Sequence, residues 1–162
     1  MKNVITFIKE TDNFFGKIEN LILILILFLL VSGSTFQIIS RIFFNSGVTW
    51  LAPFLRLLVL FTAMIGGAKT VQNNSTIKID ILNNFIADKN KKYSDKIIDL
   101  FGMLISIILF IISIKFIIIE KEFAELFLLN IKTWQIELIF PVSFFLMAFH
   151  FFSKLFDSRK QT

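Results

Sequence analysis

Thr49–Leu82, TWLAPFLRLLVLFTAMIGGAKTVQNNSTIKIDIL, decides how this chain is read. It opens on a Trp and carries one Arg inside an apolar run. The run closes on Gly66 and Gly67 and then breaks into the polar residues Gln72–Thr76. At about 1.5 Å per helical residue, some 20 such residues cross a hydrocarbon layer of about 30 Å. Trp50 belongs at the headgroup level and marks one border. Pro53 falls in the first helical turn, where its missing N–H costs little. Residues 51–70 therefore form a membrane span. After the polar break, Ile79, Leu82 and Ile86 share one helical face that Ile81 and Phe85 widen, with Lys78, Asp80, Asn83 and Asn84 beside it. That stretch is too short to cross a membrane and suits a helix lying in the interface.

The same reasoning extends outward. Of the 162 residues, 56% are hydrophobic and 18% charged, against about 45–50% and about 25% in soluble domains. The charges sit in blocks between long apolar runs. Asn20–Ser40 has no charge at all and forms a first span near 20–40. A cleaved signal peptide is the competing reading. The apolar run exceeds the usual length of about 7–15 residues and lacks an A-x-A-like site, which favours a retained span. Met1–Glu19 is a mixed-charge flank whose Ile5, Ile8 and Phe15 can lie along the membrane surface. A third span covers about 97–119 and a fourth about 134–156, with a short surface helix expected in the loop around Glu122–Leu129. The chain reads as an all-α membrane protein, a single four-helix transmembrane domain over residues 1–162.

Lysines and arginines set its orientation. Twelve lie in the N-terminal flank, the loop between spans two and three and the C-terminal tail, against four in the other two loops. The positive-inside rule then places both termini in the cytoplasm. The net charge of +5 is explained by these flanks and by contact with membrane lipids, not by nucleic acid.

Few residues carry individual chemistry. The sequence has no Cys and one His, so thiolate chemistry, disulfides and a His-based metal site are not expected. There is no nucleophile–base pairing, phosphate-binding loop or metal-ligand spacing, so neither an enzyme nor a cofactor is expected. Arg56 lies about two turns inside its span and calls for a partner or an escape to the border. Glu137 enters the fourth span at a comparable depth, so an Arg56–Glu137 pair, snorkelling of each, or contact of Arg56 with another subunit are the alternatives. Lys115 reads as a snorkelling lysine. Gly66 and Gly67, with Ala63 and Ala68, give the second span a small-residue face; Gly102 and Ser106 repeat the spacing on the third and are candidates to meet it. Pro141 kinks the fourth helix or begins its regular part. His150 reads as a border residue rather than a proton relay.

The central stretch also resembles the DctQ-like small membrane subunit of tripartite ATP-independent periplasmic (TRAP) transporters. That family's pattern is matched by Trp50, Arg56, Gly66-Gly67-Ala68, the turn Asn73-Asn74-Ser75 and the segment Thr76-Ile77-Lys78-Ile79-Asp80-Ile81-Leu82. Gln37–Arg41 resembles the family's exit from its first helix, and Pro141 its last-helix proline. The chain departs from the pattern at Thr76, where the family has His, and at Ala52-Pro53, where it often has an acidic pair. The resemblance implies a non-catalytic scaffold subunit in a bacterial inner membrane. It implies a large elevator-type membrane subunit as partner, and a periplasmic binding protein delivering an organic acid with sodium. Arg41, Trp50, Arg56, Gly66, Gly67, Ile79, Asp80, Lys115, Glu137 and Pro141 are then candidate interface or structural residues. The competing reading is a stand-alone, self-associating four-span channel or exporter, which needs repeated polar positions along a helix face.

Overall fold

A computed structural model describes residues 2–44, 47–73, 88–123, 126–128 and 131–155. In chain order these form α1 (Lys2–Phe44), α2 (Leu51–Gln72), α3 (Asp88–Phe123), β1 (Leu126–Leu128), β2 (Ile131–Lys132), α4 (Thr133–Glu137) and α5 (Ile139–Leu155). Four helical stretches are long and apolar enough to cross a membrane: Thr6–Phe43, Leu51–Gln72, Lys96–Phe123 and Thr133–Leu155. Helix is the form such runs must take, because hydrocarbon offers no partner for backbone N–H and C=O groups.

Two local expectations are corrected. The N-terminal flank is not a separate surface segment, because α1 runs unbroken through it for 43 residues. At about 1.5 Å per residue this is about 64 Å, roughly twice the hydrocarbon thickness. The charged stretch before the third span is likewise helical from Asp88. The loop after α3 forms an antiparallel pair, Leu126 opposite Lys132 and Leu128 opposite Ile131, instead of a surface helix. Short strands joined this closely satisfy each other's backbone groups, which a single helical turn cannot do. The interfacial segment with Ile79 and Asp80 lies outside the described residues.

The fourth span is divided at Leu138, between α4 and α5. Pro141 has no N–H to give the carbonyl of Glu137, and its ring crowds that carbonyl. The helical bond resumes with Val142 N–H donating to the Leu138 carbonyl at 3.3 Å.

The helices pack as a row in the order α1, α2, α5, α3. Among the described residues no packed interface joins α1 to α3, while α1 also touches α5 directly. A cavity of about 470 Å³ that Phe15 and Ile22 of α1 share with Phe110 of α3 and Phe145 of α5 is lined mainly by apolar side chains. Antiparallel α1 and α2 meet through Ile26, Leu58 and Ile65, with Leu23, Leu55 and Ile139 against them. Gly67 of α2 lies under Met147 of α5, and Gly102 of α3 lies under the Phe151 ring of α5. The two small-residue faces therefore both receive α5 and do not meet each other, because α5 stands between their helices. Phe110–Phe145 and Phe116–Phe140, with ring centroids 5.9 and 6.4 Å apart, continue the α3–α5 contact.

Candidate functional site

The most heavily buried polar group gathers where α1, α2 and α5 come together near the N-terminal end of α1. Asp12, Gly16 and Glu19 fall at i, i+4 and i+7, so they share one face of α1. That face turns inward: Gly16 and Glu19 are buried. His150 of α5, 1% exposed, meets it. Its Nδ1 lies 2.7 Å from Asp12 Oδ1, and its Nε2 lies 2.9 Å from Glu19 Oε1. A neutral imidazole has one N–H and its cation has two. Both ring nitrogens are engaged, each by a carboxyl group of α1, so the cluster is an imidazole clamped between two acidic side chains. Phe149 packs edge-on to Phe15 beside it, with centroids 5.6 Å apart.

α2 closes the cluster from the other side. The Lys69 ammonium donates to the Gly16 carbonyl at 2.7 Å and to Gln72 Oε1 at 2.5 Å. The Gln72 amide donates in turn to the Asp12 carbonyl. A Cβ at Gly16 would fall within the Gln72 side-chain amide, so any larger residue here displaces that amide from its place. The His150 ring lies between its carboxylates and uses both nitrogens on them, so the three side chains do not converge on a point where a metal would sit. No metal-binding group of His, Asp or Glu occurs among the described residues.

The residues singled out from sequence lie elsewhere. Arg41 is exposed on the last turn of α1. Trp50 is half exposed at the start of α2 and meets Phe54 edge-on. Arg56 and Lys115 are exposed. Glu137 is partly buried, Glu120 acts on it electrostatically, and its Oε2 has no hydrogen-bond partner. No ion pair joins Arg56 to Glu137 among the described residues. A Cβ added at Gly66 would meet Leu23 at 4.0 Å, an ordinary contact, whereas one at Gly67 would meet the Met147 methyl at 2.7 Å. Pro141 is buried.

His150, read from sequence as a border residue, is buried against α1. Sequence reasoning missed the whole cluster, although two signals were present. Asp12, Gly16 and Glu19 make a polar stripe in the flank, and Ser143, His150 and Ser153 make another on α5. Each is helically spaced, but neither names its partner.

Four apolar helices of spanning length in one chain define a multi-pass membrane protein. Residues 22–161 match the family described as tripartite ATP-independent periplasmic transporters, DctQ component, and the chain belongs to that family. It is thus a small membrane subunit of a TRAP transporter. No curated protein sequence matches it. The family is a component of tripartite systems with a large membrane subunit and a periplasmic binding protein.

Proposed function

We propose that this chain is a non-catalytic scaffold for a large, elevator-type membrane subunit, in a bacterial inner membrane and with both termini cytoplasmic. The transporter it serves is driven by sodium and takes up an organic acid delivered by a periplasmic binding protein. The observation that carries this reading, beside the family, is the row of helices with broad exposed apolar faces. A channel or exporter acting alone needs an enclosed polar path, and polar pathway residues inside a bilayer face such a path. Here the exposed surfaces of α1 and α3 are bulky apolar side chains such as Leu25, Phe28, Phe101 and Ile108. Such a row has broad lateral faces that a larger partner can cover.

The test is recovery of the tagged chain from native membranes in mild detergent, with its companions identified by mass. A stoichiometric, larger polytopic protein is the expected result. Recovery of this chain alone as a stable homo-oligomer contradicts the reading. Uptake of candidate acids with and without a sodium gradient then tests the coupling.

A further inference from the structure

A polar cleft of about 440 Å³ opens between α1 and α2 beside the His150 cluster, with Asn13, Lys17 and Asn20 of α1 and Lys69 and Asn73 of α2 in its lining. We infer that this cleft binds the phosphate of an anionic phospholipid headgroup, at the membrane surface where α1 begins and α2 ends.

Position supports the assignment. The uncharged run of α1 starts at Asn20, and Lys69 is the last charge of α2. The cleft therefore lies where hydrocarbon gives way to headgroups. Basic pockets between membrane helices at this level suit acidic lipid headgroups.

Charge supports it too. Among the described residues, the charged groups lining the cleft are Asp12, Lys17 and Lys69. Asp12 and Glu19 both turn their carboxylates to the His150 ring. Along the lining, two positive charges, on Lys17 and Lys69, stand against the one negative charge of Asp12. The surplus of one matches a single phosphodiester. The carboxyl end of α2 opposes an anion with about half a negative charge, which reduces the surplus without reversing its sign. Lys9 continues the Asn13–Lys17–Asn20 face one turn further out.

Donors are also to hand. An ammonium has three N–H groups, and Lys69 gives one to the Gly16 carbonyl and one to Gln72. The third remains for a ligand. Lys17 is exposed and takes no part in the His150 clamp. The side-chain amides of Asn13, Asn20 and Asn73 add neutral donors. A zwitterionic lipid offers the same phosphate but brings its own cation, which the surplus charge disfavours.

The experiment uses the tagged protein with whatever membrane partners accompany it. It is reconstituted in nanodiscs of phosphatidylcholine with an equal share of phosphatidylglycerol, and retained lipid is counted by native mass spectrometry. Wild type is expected to retain phosphatidylglycerol preferentially, and Lys17→Glu or Lys17→Gln to lower that preference about fivefold or more, the weight of one lysine at an anionic surface. Lys115→Gln, at the other end of the spans, leaves it unchanged. Inorganic phosphate at tens of millimolar does not displace the lipid. Equal retention of the two lipids overturns the inference, as does an unaltered preference in both Lys17 variants. Displacement by inorganic phosphate also overturns it, in favour of a soluble anion.

Discussion

Replacing His150 with Ala tests the clamp most directly. The ring faces both Asp12 and Glu19. Glu19 is 2% exposed and its Oε2 already has no partner, so the variant takes away the bond its other oxygen makes. Stranding one member of a buried ion pair costs about 3–5 kcal/mol in soluble interiors. Polar contacts between membrane helices couple more weakly, about 0.6 kcal/mol on average and up to about 1.7. Asp12 keeps 17% of its side chain exposed, so its share is screened by solvent. We expect a loss of about 2–3 kcal/mol, most of it from Glu19. The assay is reversible unfolding in mixed micelles, with hydrogen exchange followed along residues 6–19, which the clamp ties to α5. His150→Phe fills the site with a larger aromatic ring that supplies no N–H, so it falls nearly as far as His150→Ala. A double-mutant cycle with Glu19→Gln shows coupling of about 1 kcal/mol or more. If His150→Ala unfolds within about 0.5 kcal/mol of wild type, with exchange in residues 6–19 unchanged, the clamp contributes nothing and the reasoning fails.

Two further predictions follow from the packing. Gly102→Ala places a Cβ 2.6–2.9 Å from three atoms of the Phe151 ring and costs about 1–3 kcal/mol by overpacking, whereas Gly66→Ala has room and gains up to about 1 kcal/mol of helix propensity; equal melting temperatures for the two variants would falsify this account of the α3–α5 contact. Arg56→Ala and Glu137→Gln change stability additively, within about 0.5 kcal/mol, because the chain does not bring them together; a larger coupling in the isolated chain shows a pair that the structure does not form.

The amino-acid sequence by itself determined the four spans and the family. Both are properties of runs: hydropathy sums residue by residue, and TWLAPFLRLLVLF with its Gly-Gly-Ala end is recognisable without neighbours. It also placed the break near Pro141, because proline's lost N–H acts on its own helix. The tertiary structure alone decided the order of the row. Ala63–Gly67 and Gly102–Ser106 have the same spacing, and nothing in spacing tells which helix each will meet; α5 took both. It alone decided the cluster as well. Asp12 and His150 are 138 residues apart, and a lone histidine near a span end carries no local sign of burial. Its ring is buried and engaged at both nitrogens only when packing brings two carboxyl groups of another helix to it. Long-range electrostatic pairing of that kind depends on coordinates, while membrane insertion depends on composition, and this chain separates the two cleanly.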